Sequence, residues 1–324
     1  MKKLAYLASA VLAGLGFTST ASADISVSGS QQLVYSAADS ITILKTFGTV
    51  DFGLSTTTAS GMTISSSAGM SVGDGASDGG ASTGDAVVYG WNGLTFATGG
   101  ATITIGTDVN VADGVGEVDG VHASAVTSDH SGISSVTNSV DIANDEGTGI
   151  SLATSMGGAA LSLVYVVDTD SDGSAGNRFD NATGTAMSAK ITTTVGAVGV
   201  TAAYASHSNT SVDDTETGVA LSYASSMGDV VVGYGSSTGT SDGNVLSASY
   251  TMALDADTSL ALGYASYDAD STTGTETNVS ISRALGGGAS VFADFASVSG
   301  STTASSAPSS SATSAVAIGT KLSF

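Results

Sequence analysis

Ala315-Val316-Ala317-Ile318-Gly319-Thr320-Lys321-Leu322-Ser323-Phe324 closes the chain. Val316, Ile318, Thr320, Leu322 and Phe324 share one parity, and Ala315, Ala317, Gly319, Lys321 and Ser323 hold the other. Side chains of a strand alternate between its faces, so the stretch predicts a strand with one oily and one wet face, ending on an aromatic of the oily face. In a soluble domain such a strand is an aggregation-prone edge. In a sheet closed on itself within lipid it has no free edge.

The other terminus agrees. Met1-Lys2-Lys3 gives a basic start, Leu4 to Phe17 an apolar run, and Ala21-Ser22-Ala23 a small-residue cleavage site, so residues 1–23 read as a removable signal peptide and 24–324 as the exported domain. The apolar run is shorter than the ~20 residues of a helical span and passes into a polar Thr/Ser segment. No other segment comes near ~18 uninterrupted apolar residues, although mean hydropathy is positive at +0.28. The apolar residues must therefore be dispersed, as period-2 strands disperse them. Cysteine is absent, so backbone pairing and burial, not disulfides, hold this exported chain.

Charge excludes one class of partner. Lys2 and Lys3 depart with the signal, leaving five Lys and Arg against 29 Asp and Glu, a net charge of −24. Nucleic acid demands basic patches that this chain lacks. An acidic, solvated surface instead repels anions and gathers cations.

The alternation recurs in pairs of segments joined by short turns. Ile25, Val27, Leu33 and Tyr35 share a parity, as do Val50, Phe52 and Leu54, which precede a Ser60-Gly61 turn. Leu161, Leu163, Tyr165 and Val167 leave Gly157-Gly158, and Val219, Leu221 and Tyr223 turn through Met227-Gly228-Asp229 into Val230, Val232 and Tyr234. Longer polar loops are expected near 36–47, 73–85, 108–147, 168–183, 207–215, 237–243, 268–276 and 299–313. Eight long loops imply about sixteen strands, with both termini at the short-turn end. Within 86–98 the oily parity changes, from Tyr89 and Trp91 to Leu94 and Phe96, which either a bulge at Asn92-Gly93 or a displaced strand start explains. Tyr35, Tyr165, Tyr204, Tyr234, Tyr264 and Phe295 fall late on strands rising to the long loops, and Tyr223, Tyr250 and Phe324 late on returning strands. Two aromatic girdles follow, as in barrels embedded in lipid.

With these features assembled, the chain resembles the general porins of Gram-negative outer membranes, particularly the alphaproteobacterial type. Val50-Asp51-Phe52-Gly53-Leu54, Ser60-Gly61-Met62 and Leu285-Gly286-Gly287-Gly288-Ala289 are similar to hairpins of that family. The resemblance implies a homotrimer of sixteen-stranded transmembrane antiparallel β-barrels in outer-membrane lipid and lipopolysaccharide, each with its third extracellular loop folded inward. It also implies that Phe324 is part of the signal read by the barrel-assembly machinery. The third loop, about 108–147, carries Asp108, Asp113, Glu117, Asp119, Asp129, Asp141, Asp145 and Glu146, which matches the family's acidic constriction loop in place and sign. The basic cluster that usually faces it is not matched: Lys190 and Lys321 have lumen parity, Lys45 and Arg178 fall in loops, and Arg283 has lipid parity near a turn, where it reaches headgroups. Asp51 and Asp294, on lumen parity within strands, read as hydrated wall carboxylates able to act on ions.

Other motifs carry less. Asp168, Asp170 and Asp172 before Gly173 form the first half of a calcium loop, but Phe179 stands where the closing Glu would fall, so a solvated loop is the default and calcium the alternative. No other cofactor motif occurs. Asp129-His130-Ser131, with His122 and His207 elsewhere, has hydrolase residue types without an orienting group or oxyanion donors, so no enzyme is expected. The reading that results is a water-filled channel for ions and small hydrophilic solutes, cation-selective. A substrate-specific channel and a surface β-solenoid adhesin or layer protein are the alternatives, the latter needing a fixed-length repeat where only variable hairpin spacing is found.

Overall fold

Alternating Val, Ile, Leu and Tyr with Ser, Thr, Ala and Gly is a pattern that only strands can sort onto two faces, and the computed structural model sorts it so. It describes residues 23–38, 41–74, 85–110, 146–168, 184–208, 213–239, 242–269, 272–300 and 314–324. Sixteen strands run in chain order: β1 (Ala23–Ala38), β2 (Ile41–Thr57), β3 (Thr63–Asp74), β4 (Asp85–Thr98), β5 (Ala101–Asn110), β6 (Glu146–Met156), β7 (Ala159–Asp168) and β8 (Thr185–Val195). They continue with β9 (Val198–Ser208), β10 (Asp213–Ser225), β11 (Gly228–Thr238), β12 (Gly243–Ala253), β13 (Thr258–Ala269), β14 (Thr272–Gly286), β15 (Ala289–Gly300) and β16 (Ser314–Ser323). Each pairs antiparallel with its neighbours, and β1 pairs with β16 to close the barrel.

The oily parity faces outward on every strand where it is described. Ile25, Leu54, Met187, Val195, Leu221, Leu246 and Ile318 are exposed large apolar side chains, a surface that only lipid suits. Tyr35, Tyr165, Tyr204, Tyr223, Tyr234, Tyr264, Phe295 and Phe324 are exposed on the same outer face. Glycine builds the short turns: Gly157 and Gly158 take φ of 61° and 87°, the left-handed pair that matches a two-residue hairpin to strand twist.

Of the two explanations for the parity change in 86–98, the register shows the bulge. Ser65 pairs with Thr95 but Ser67 with Asn92, so β4 carries one extra residue there. Ser66 Oγ donates to the Gly93 carbonyl at 2.9 Å. A Cβ on Gly93 would lie 2.3 Å from Gly106 Cα of β5, which is why glycine occupies both positions.

Some expected loops are strand. Pairing of β1 with β2 runs on through Ala37 with Thr42 and Ala38 with Ile41, inside the expected 36–47 loop, so Lys45, expected in that loop, lies on β2 opposite Val34. Ladders also cover most of 268–276, where Ala269 pairs with Thr272, and Asn110 pairs with Glu146 inside 108–147. Thr- and Ile-rich segments continue backbone pairing past the point where the oily alternation stops.

The seam between β16 and β1 is clamped by aromatics on both faces. Phe324 and Gly29 exchange two backbone hydrogen bonds, each 3.1 Å. Outside, the Phe324 ring lies over Gly29, and inside, the Phe292 ring lies over Gly319, where Phe292 packs with Val34 and Ala317. An aromatic covering the bare backbone of a strand glycine supplies the contact that the missing side chain cannot.

Candidate functional site

The site is the wet face, which lines the lumen. Its residues follow from outward neighbours: Met187 and Ile191 point out, so Lys190 points in; Ile318 and Leu322 point out, so Lys321 points in. Both lysines are half-buried. Asp51 points in between Phe52 and Val50, and is exposed. Asp294 also points in, but it is buried at 2% exposure and accepts a 2.6 Å hydrogen bond from Ser280 Oγ. It is therefore no freely hydrated wall carboxylate, because its cross-strand neighbour Ser280 holds it against the sheet.

Three further lumen carboxylates escape the sequence reading. Asp214 and Glu216 on β10 and Glu276 on β14 are buried, and Asn278 Nδ2 donates to Glu276 Oε1 at 3.2 Å. His207 on β9, paired in register with Asp214, is buried as well. The signal was available: Val219 and Leu221 fix odd residues of β10 as outward, so Asp214 and Glu216 must face in.

Burial of the lumen face is graded along the barrel. On β10 it passes from buried at Asp214 and Glu216, through half-buried Gly218 and Ala220, to exposed Ser222 and Ala224. On β8, Ala186 and Ser188 are buried, Lys190 is half-buried, and Thr192 and Thr194 are exposed or nearly so. On β12, Val245 and Ser247 are buried and Thr251 and Ala253 exposed. Lumen-facing side chains are thus exposed at the short-turn end and buried toward the long loops. An apolar patch of Val109, Val164, Val166, Ala186 and Ala205 belongs to the buried part.

Arg283 sits on the outer face at the short-turn rim, where its Nη1 donates to Thr258 Oγ1 at 2.9 Å and pairs with Asp255 Oδ2 at 3.4 Å. The Asp255 carboxyl is held below its ordinary value, first by the Asp257 backbone N–H, then by the Thr258 hydroxyl, with Arg283 adding.

Of the remaining expected site residues, Asp108 lies on β5 and Asp168 ends β7. Asp113, Glu117, Asp119, Asp129, Asp141, Asp170 and Asp172 lie outside the described residues, as do residues 1–22 of the expected signal peptide. Among the described residues no group of three acids or imidazoles is placed to hold a metal ion.

Comparison with known proteins adds to this geometry. A family model described as Gram-negative porin matches residues 8–303. No curated protein matches the chain in sequence. Among solved structures, the chain is similar to OmpT, an outer membrane protein of Vibrio cholerae solved in a trimer form, with TM-score 0.70 and 13% identity over 94% of this chain and 100% of that one. A porin refined at 1.8 Å matches with TM-score 0.66 and 16% identity over 93% of this chain and all of the other. A substituted Rh. blastica porin matches with TM-score 0.63 and 18% identity, again over 93% and 100%.

Proposed function

The chain belongs to the Gram-negative porin family and resides in the outer membrane, and from that premise we propose that it forms a water-filled channel through which ions and small hydrophilic solutes diffuse passively, with cations favoured. The observation that carries the reading is the closed barrel with an oily outside and a hydroxyl-rich lumen whose side chains are exposed toward the short turns. Sixteen strands enclose more space than side chains alone fill. Cation preference rests on lumen carboxylates, Asp51, Asp214, Glu216, Glu276 and Asp294, outnumbering the lysines at lumen positions, Lys45, Lys190 and Lys321, among the described residues. The same reading makes the chain a channel and not an enzyme.

Two finer parts of the proposal have their own support. We propose that the third long connection, about 108–147, folds inward with Glu117 and Asp119; the burial of Ala186, Ser188, Asp214 and Glu216 toward the long loops supports the reading. We also propose a homotrimer joined through β1 to β3. Among the outward Ile25, Leu33, Tyr35, Phe52 and Leu54, those strands carry the small or polar Gly29, Gln31, Gly48, Ser66 and Ala68, whereas β7 and β9 to β13 present Tyr165, Tyr204, Tyr223, Tyr234, Tyr250 and Tyr264. Small residues allow close approach of two backbones, and a polar Gln in lipid gains a partner there. Tyrosines suit the lipid interface.

Liposome swelling tests the central reading. Uptake of neutral sugars should rise linearly with concentration and fall steeply with sugar size. Saturation by one sugar would favour a substrate-specific channel, and absence of swelling would reject a channel.

A further inference from the structure

We propose that Lys190 centres an oxyanion subsite on the lumen wall, where the phosphate or carboxylate group of a passing solute is held within a channel that otherwise favours cations. The proposal rests on the channel reading above and deepens it by naming a solute class.

The ammonium is available. Lys190 is half-buried, and it makes no hydrogen bond or ion pair with another described residue. Among the described residues no acid stands next to it across the sheet. Across the ladder Lys190 lies between Ser162 of β7 and Ala203 of β9, and Ala203 pairs in turn with Gly218 of β10. The lumen faces of β6, β7 and β8 near it hold Ser151, Ala153, Ser155, Ala160, Ser188 and Thr192, none of them acidic. The nearest described lumen acid, Glu216, stands two strands away and further toward the long loops.

The wall is also concave there. A hollow of about 280 Å³ is lined by Thr102, Ser155, Ser162, Thr192 and Lys190, among others. Thr192 and Thr201 hydroxyls lie 3.1 Å apart beside it. Hydroxyls donate as readily as they accept, and an ammonium offers three donors with no acceptor, so this donor set complements an oxyanion and gives a metal cation nothing charged to bind. The hollow faces the short-turn half of the lumen, so an anion reaches it without crossing the acidic band at Asp214, Glu216 and Glu276.

Single-channel recording in planar bilayers tests the subsite, with sodium phosphate added at the short-turn side over a chloride background. Wild-type conductance should fall saturably with phosphate. Lys190→Gln should weaken the apparent phosphate constant about tenfold, the scale of one charge-assisted contact in water, and Lys190→Arg should retain most of it. Lys321→Gln, which removes the same charge elsewhere in the lumen, should shift ion selectivity while changing the phosphate constant less than about twofold. Heat-modifiable migration on gels confirms that each variant is folded. An acetate arm that saturates likewise assigns the site to oxyanions in general, and saturation by phosphate alone assigns it to phosphorylated solutes. Regular conductance steps without saturable phosphate block would overturn the subsite and leave the channel standing, as would equal losses in Lys190→Gln and Lys321→Gln. Absence of conductance steps in the wild type would overturn both.

Discussion

Gly29→Ala is expected to loosen the barrel at its closing seam. A Cβ built on Gly29 would stand 2.4 Å from the Thr49 carbonyl oxygen and 2.8 Å from Phe324 Cζ. Both are about 1 Å inside ordinary contact, and the carbonyl belongs to the ladder between β1 and β2, so it cannot rotate away. Overpacking of this kind costs about 1–3 kcal/mol, and the reduced freedom of the unfolded chain returns about 0.4–1 kcal/mol. The net loss should be about 1–2 kcal/mol, roughly a five- to thirty-fold fall in the folded-to-unfolded ratio. Gly53→Ala is the control, because its Cβ would meet only the Ser26 hydroxyl at 2.4 Å, which a rotamer change removes. The assay is urea unfolding in detergent micelles, read by the heat-modifiable gel band. If Gly29→Ala proves as stable as Gly53→Ala, the Phe324 ring does not cover Gly29 and the reasoning about the seam is wrong.

Deleting Phe324 removes two backbone hydrogen bonds to Gly29 as well as the ring, and should reduce the amount reaching the outer membrane far more than the melting temperature of the folded fraction; normal membrane levels would reject this. Ser280→Ala should cost about 1–3 kcal/mol in the same urea assay, since Asp294 is buried and loses a 2.6 Å donor. The Asp255 turn contributes stability that is complete above the carboxyl's ordinary value of 3.8 and is lost as pH falls through its lower folded value. Asp255→Asn should therefore melt below wild type at neutral pH, with the difference small because the group is exposed, and the gap should close in strong acid. A gap that widened in acid would reverse the assignment.

Parity was legible at every strand whose oily residues recur, because lipid outside and water inside impose the same two-residue period that sequence displays. The change of oily parity near Asn92-Gly93 could be read for that reason, but the choice between a bulge and a displaced strand start needed the register of β3 against β4. Loop length was less legible. Ala38 and Ile41 are ladder residues although no lipid contact demands them, since pairing above the membrane needs only backbone partners. Burial was least legible, as Asp51 and Asp294 share parity and type but differ in exposure through what packs around each. Asp214, Glu216 and Glu276 went unread because their neighbours in sequence suggested loops, while their neighbours across the sheet, His207, Ser237 and Ala265, make them wall.

The most direct test of a cation-favouring pore is the reversal potential of the reconstituted wild-type channel across an approximately tenfold potassium chloride gradient. Screening acts over ~8 Å at physiological ionic strength, so the lumen carboxylates should give a cation-selective sign that weakens as both salt concentrations rise. Neutralising Glu117 and Asp119 together should reduce it further, and a sign untouched by that pair would place the selectivity on the wall acids. An anion-selective sign in the wild type would contradict the account.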